Sequence, residues 1–182
     1  MGLYQFKIII ISIIILLLQS SLSYAKQPTI REYQIKAVFL YNFTYFVRWP
    51  PSVFESSISP FRICVLGTDP FRGLLKLAVK NETVDAHNVQ IQVHSTVKNT
   101  NSCHILFISR SEVKNLRKIF KYLKQRAILT VSGIENFARD GGMIQFVNMG
   151  KNIRFYMNRR VAIKANVRIS ANLLYIARKV FQ

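Results

Sequence analysis

A chain of 182 residues of which 50% are apolar has room for one domain with a real core, and its composition excludes a disordered or low-complexity protein. Lys and Arg outnumber Asp and Glu by 26 to 8, a formal net charge of +18. In a cytoplasmic protein so basic a balance would point to nucleic acid, so compartment has to be read before charge.

The N-terminus supplies the compartment. Met1–Lys7 carry one positive side chain, Ile8–Leu18 are apolar except for Ser12, and Ser23-Tyr24-Ala25 place small residues at the −3 and −1 positions of a cleavage site. This pattern predicts a secretory signal peptide over residues 1–25 and a single mature domain over 26–182. The apolar run is short for a membrane span, which needs roughly 18 to 20 residues, so an uncleaved anchor is the weaker alternative. For an exported protein, nucleic acid drops out as a partner. Anionic lipid headgroups, cell-wall polymers or an acidic protein take its place.

Thr29 to Pro51 is the longest helical signal. Thr29 followed by Glu32 is a capping-box start, and Trp49-Pro50-Pro51 forces an end, giving an expected helix of about twenty residues. Its polar residues do not form one stripe and Ala37–Tyr41 has none, so the middle is expected to be covered on most sides. A serine-rich loop then leads to Phe61–Leu66, a strand. Gly67-Thr68-Asp69-Pro70 turns into a helix over 71–80, with Asp69 as N-cap and Pro70 at the first helical position. That turn could hold an anion, but it lacks Gly-x-Gly-x-x-Gly or Walker spacing and reads as ordinary capping.

Asn88–His94 alternates as a half-exposed strand, while Cys103–Ser109 is continuously apolar, a strand covered on both faces. Ser111 caps an amphipathic helix to Gln125 whose basic face includes Arg117, Lys118 and Lys121, best read as solvated. Ala127–Val131 is a strand, residues 133–139 a turn or two of helix, and 143–148 with 152–157 a β-hairpin. Residues 158–181 read as two helical pieces capped by Asn158 and Ser170, with Leu173, Leu174, Ile176, Ala177 and Val180 as the second apolar stripe. The alternation predicts an α/β single-domain sandwich, a mixed sheet of about six strands flanked by helices in Rossmann-like layering.

The chemistry is sparse. No Gly-x-Ser-x-Gly and no Ser or Cys set by motif beside a His marks a nucleophile, and the acidic residues are spread singly, with Glu32, Asp69 and Glu135 at expected helix starts. A binding protein is favoured over an enzyme, and no cofactor motif is present. Cys64 and Cys103 lie at or near predicted strands; in an oxidising compartment such thiols usually pair, the alternatives being unlinked buried thiols or a metal site. With only His87, His94 and His104 and no Cys-x-x-Cys or His-x-x-x-His spacing, nothing resembles a metal-ligand set.

The segments YQIKAVFLYNFTYFVRWP, FRICVLGTDPF, CHILFIS, LTVSGIENFARDGGMIQF, IRFYMN and RISANLLYIARKV, in that order behind a leader, resemble the YfiR family. The likeness covers nearly the whole mature chain, and the order of the segments is what is specific. It implies a periplasmic, non-enzymatic, commonly homodimeric α/β repressor. Its implied partner is the periplasmic domain of a membrane diguanylate cyclase, YfiN, with release by an outer-membrane lipoprotein of the YfiB type. Cyclic di-GMP, exopolysaccharide and biofilm would fall while the cyclase is held. The resemblance also implies that Cys64 and Cys103 form a disulfide. The chain lacks the second cysteine pair of some relatives, and Tyr156 stands where relatives often have an acidic residue. Arg154, Tyr156 and Arg168, large groups on the last hairpin and the start of the final helix, are the candidate partner-binding residues. A periplasmic small-molecule-binding module, with a pocket at the Gly67 turn or between the first helix and the sheet, is the runner-up.

Overall fold

The computed structural model describes residues 29–182 apart from residue 151, so the predicted signal peptide lies outside the described residues. Helix α1 (Ile30–Asn42) begins as its capping residues dictate, the Thr29 hydroxyl accepting from the Glu32 amide at 3.2 Å. It is shorter than the sequence pattern predicts. After Asn42 the chain tightens to a 3₁₀ turn (Phe43–Tyr45), and Val47–Arg48 is extended as β1, pairing antiparallel with β9 (Arg168–Ile169). The Ser170 amide completes that ribbon by donating to the Phe46 carbonyl at 2.8 Å. Long-range pairing has overridden local helical pattern. The middle of the helix is covered at Ala37, Leu40 and Tyr41 and half-covered at Phe39, as expected, but Val38 is 51% exposed and leaves one side open.

The main sheet contains β2 (Phe61–Leu66), β3 (Thr83–Val84), β4 (His87–His94), β5 (Ile105–Ile108), β6 (Leu129–Ser132), β7 (Ile144–Met149), β8 (Asn152–Asn158) and β10 (Lys179–Phe181). Its order is β10-β8-β7-β6-β5-β2-β4-β3. The strands β4, β2, β5, β6 and β7 run parallel, β7 and β8 form the predicted antiparallel hairpin, and β10 lies parallel to β8 at the edge. The sheet therefore has eight strands rather than about six. The two extra strands were invisible for a physical reason. Thr83–Val84 is too short to show a period, and Val180, expected on a helical stripe, sits in an edge strand whose partner is β8 rather than a sequence neighbour.

Side chains alternate between the faces. Phe61, Ile63, Val65, Ile105, Phe107 and Val131 face one core, shared with α1 and α2 (Leu74–Ala78); Cys64, Leu66, Leu106 and Ile108 face a second, shared with α3 (Leu116–Leu123) and α4 (Phe137–Asp140). This gives the three-layer α/β sandwich that the sequence predicts. Helices α5 (Arg159–Lys164) and α6 (Ala171–Ile176) cover the first face near the hairpin, capped by Asn158 and Ser170 as expected: the Asn158 Oδ1 accepts from the Val161 amide at 3.0 Å and the Ser170 Oγ from the Leu173 amide at 3.2 Å.

Two expected caps do other work. Asp69 does not open a helix; its Oδ1 accepts from the Phe71 amide at 2.8 Å in a turn, and α2 starts only after Gly73 at φ 88°. Ser111 caps nothing, and the segment Arg110–Asn115 is 3₁₀ before α3 begins.

Leu40 is fully buried among these first-face side chains, and Phe39 is partly buried against Phe43, Phe146 and Phe155 with ring centroids 5.9–6.1 Å apart. Leu40→Asp places an uncompensated carboxylate in this core and is expected to abolish cooperative unfolding in a thermal melt. Phe39→Asp, at a less enclosed position, is expected to be severe but weaker. A Leu40→Asp protein that still melts cooperatively would place the core elsewhere.

Candidate functional surface

In a doubly wound sheet the chain reverses direction across the sheet at one point, and ligands bind in the crevice beyond the carboxyl ends of the strands there. In this protein the reversal falls between β2 and β5, because α2 after β2 lies on the first face and α3 after β5 on the second. The crevice is closed. Gly67, at φ 87°, lets the β2 loop approach so tightly that a Cβ there would collide with Ser111 Oγ and lie 2.9 Å from Glu112 Cγ. Ser111 Oγ accepts from the Thr68 amide at 3.0 Å, lacing the two loops together. The turn that sequence alone left open as an anion site is a loop-to-loop contact. A groove of about 630 Å³ runs between α2 and β4, reaching Asp69 and Gly73 of the loop after β2 and lined further along by Leu75, Val79, Ile91 and Val93.

Behind β2 on the second face, Cys64 and Cys103 form the disulfide, with Cα atoms 5.9 Å apart and a sequence separation of 39. Closing a loop of that size contributes on the order of 4 kcal/mol on the chain-entropy estimate. His94 lies beside the bridge, and the three ligand-type atoms fall within 4.8 Å of one another. Bonded to each other, the sulfurs offer no thiolates, so the disulfide form does not present a Cys₂His ligand set.

Two buried polar groups escaped the sequence pattern. Lys36, 3% exposed, pairs with Glu32 one turn earlier, and its ammonium lies 5.0 Å from the Tyr33 ring centroid and 5.8 Å from that of Phe146. Burial pushes its pKa down, the Glu32 carboxylate pulls it back up, and Arg110 pushes it further down. The i, i+4 spacing of Glu32 and Lys36 was the available signal; that the pair would be buried was not legible. His104 is 1% exposed and packs against both Phe54 and Phe61, with ring centroids at 4.7 and 4.6 Å. Its Nδ1 accepts from the Arg62 amide at 3.0 Å, while Nε2 has no hydrogen-bond partner. Burial first, then Arg62 and His87, push its pKa down to about 4. It is a neutral, structural imidazole.

The three candidate partner-binding residues do not form one cluster. Arg154 is exposed and Tyr156 half-buried on the same side of β8, away from the first core, where Tyr156 meets Phe181 edge-on at 6.5 Å. Arg168 is in the separate ribbon, directly opposite Arg48. Among the described residues no hydrogen bond or ion pair joins Arg168 to the other two. The exposed side of α1 adds a shallow apolar patch of about 270 Å³ lined by Gln34, Ile35, Val38, Phe39 and Asn42.

The YfiR/HmsC-like family model matches residues 33–178, from the first turn of α1 to the threshold of β10. The chain belongs to the YfiR/HmsC-like family. No curated protein matches it closely enough to count as a relative. The family is regulatory rather than catalytic, and it is periplasmic. Among the described residues no helix is long and apolar enough to cross a membrane.

Two tests follow from the buried groups. Removing one member of a buried ion pair strands the other charge, so Glu32→Leu is expected to lower stability by roughly 3 kcal/mol or more, and the Glu32→Leu/Lys36→Met double variant to recover most of that loss in a urea-unfolding double-mutant cycle. For His104, the folded pKa lies below the unfolded value of about 6.5, so the unfolded chain binds the proton more readily. Stability from this group is complete above pH 6.5 and falls as the pH drops towards about 4, by roughly 3 kcal/mol. His104→Asn retains an acceptor for the Arg62 amide and is expected to flatten that dependence in pH-resolved urea melts.

Proposed function

We propose that this protein is an exported, non-enzymatic repressor that binds the periplasmic sensor domain of a membrane-bound diguanylate cyclase, lowering cyclic di-GMP and biofilm formation. The match to the YfiR/HmsC-like family across almost the whole domain carries this proposal. The closed Gly67–Ser111 crossover supports association with protein surfaces over use of the crevice that this sheet topology ordinarily offers to ligands. The cyclase domain meets the C-terminal side of the molecule through Arg154 and Tyr156 on β8 and Arg168 on β9. A lipoprotein of the YfiB type competes for the repressor. The apolar side of α1 at Val38 supports a homodimer, since a second copy removes that patch from water.

Deleting the gene is expected to raise cyclic di-GMP, complementation to restore it, and the Arg154→Ala/Tyr156→Ala/Arg168→Ala variant to complement poorly while melting like the parent. Unchanged cyclic di-GMP after deletion, together with no binding to any periplasmic sensor domain, refutes the proposal. The groove between α2 and β4 favours a second function, a periplasmic small-molecule-binding module. It is distinguished by thermal shift, where only a specific ligand raises the melting point with its concentration.

A further inference from the structure

The acidic residues are distributed unevenly. All eight precede Gly141, and from Gly141 to Gln182 the chain has basic side chains and no Asp or Glu. The fold gathers part of that charge. On α5, Arg159 and Ile163 form one i, i+4 row and Arg160 and Lys164 the next, all exposed, while Ala162 and Ala165 are buried underneath. A groove of about 280 Å³ joins this helix to β9, with Arg159, Ile163, Asn166 and Arg168 in its lining. The register of β1 and β9 then sets Arg48 directly across from Arg168.

Like charges facing each other across a strand pair destabilise it. Among the described residues, none of these cations has a carboxylate within ion-pair distance: the ion pairs join Lys36 to Glu32, Arg62 to Glu55 and Arg139 to Asp140. Arg48 donates instead to the carbonyls of Thr44 and Val47, at 3.2 and 3.1 Å, which holds its guanidinium without neutralising it. Ile163, 60% exposed, stands among these charges. The same composition recurs on α6, where Tyr175 is 90% and Ile176 55% exposed just before Arg178 and Lys179. Cations with exposed aliphatic and aromatic side chains between them fit the boundary between anionic headgroups and acyl chains. A purely acidic polypeptide matches the charge alone, and an acidic protein that also covers the apolar groups is separated from a membrane by the test below.

We propose that the surface carrying Arg48, Arg159, Arg160, Ile163, Lys164 and Arg168 docks the protein on a membrane rich in anionic lipid headgroups. The cations supply long-range attraction, and Ile163 inserts at the headgroup boundary. This docking does not depend on which signalling protein the domain regulates.

The test is sedimentation of the protein, recovered from the exported fraction, with phosphatidylcholine vesicles and with vesicles in which a third of the lipid is phosphatidylglycerol. Strong binding is expected only to the anionic vesicles, weakening as salt is added. Arg159→Gln/Arg160→Gln/Lys164→Gln, which leaves Arg168 of the proposed partner contact in place, is expected to lower the partition coefficient on the order of a hundredfold. The control Arg117→Gln/Lys118→Gln/Lys121→Gln, which removes three exposed cations from α3, is expected to lower it several-fold less. Ile163→Ser is expected to weaken binding about tenfold with the salt dependence unchanged. All variants alter exposed side chains and are checked for a parental thermal melt. Equal losses in the two triple variants, an unaffected Ile163→Ser, or equal binding to both kinds of vesicle overturns the proposal. So does tighter binding to polyglutamate than to anionic vesicles, and that result assigns the surface to an acidic protein.

Discussion

The contact on which the rest of the structure depends is the seating of Phe39 and Phe43 on Phe146 and Phe155. The four rings lie with centroids 5.6–6.1 Å apart, in tilted, stacked and edge-on arrangements. Such pairs contribute roughly 0.5–1.5 kcal/mol each beyond the area they bury. Their position matters more than their sum, because they join the first helix of the domain to the C-terminal hairpin. Without that seat, Phe146 and Phe155 on the first face of β7 and β8 would lose the cover that α1 and the turn after it provide, leaving only α5 and α6 over the hairpin. β10 then lies along β8, so both ends of the described chain converge on the hairpin. The parallel strands between depend on contacts made by residues more than a hundred positions apart.

This dependence explains which parts of the fold were legible in sequence. Phe61–Leu66, Ile105–Ile108 and the β7–β8 hairpin announced themselves because each is covered on both faces or turns on its own local signal. The caps at Thr29, Asn158 and Ser170 were legible because a cap is a local hydrogen bond. Val47–Arg48 and Lys179–Phe181 were not. Their residues carry an apolar pattern compatible with helix, and only a partner far along the chain decides that they are strands. The candidate surface divides in the same way. Cys64 and Cys103 were identified with their bridge through family likeness, but the placement of Arg168 opposite Arg48, away from Arg154 and Tyr156, follows from the β1–β9 pairing that the sequence hid.

The closed crossover shows how a familiar layer architecture can lose its ordinary ligand site. A nucleotide-binding sheet keeps the first turn open so that backbone amides and a helix N-terminus face the phosphate. In this chain Asp69 takes the Phe71 amide for its own turn, Ser111 takes the Thr68 amide, and Arg72 at φ 51° with Gly73 at φ 88° delays the helix until Leu74. The Gly67, Thr68 and Phe71 amides, which could face a phosphate in an open turn, are used inside the protein. The same features that make the loop rigid make the crevice unavailable, and the surface left to do work is the outside of the domain.

That outside is not uniform in how it treats charge. Where a cation is buried, the protein answers it: Lys36 has Glu32 and two aromatic faces, and its depressed pKa reflects a group held at a cost to hydration. At the β1–β9 ribbon two arginines face each other with only backbone carbonyls on one of them. An isolated ribbon of two residues per strand has little pairing energy with which to offset repulsion, so Arg48 and Arg168 are a poor choice for stability alone. Hydration and salt make the repulsion tolerable at the surface. An external anion converts it into attraction. The repulsion is relieved most when an anion lies against the surface, which is the electrostatic gain that the proposed docking draws on.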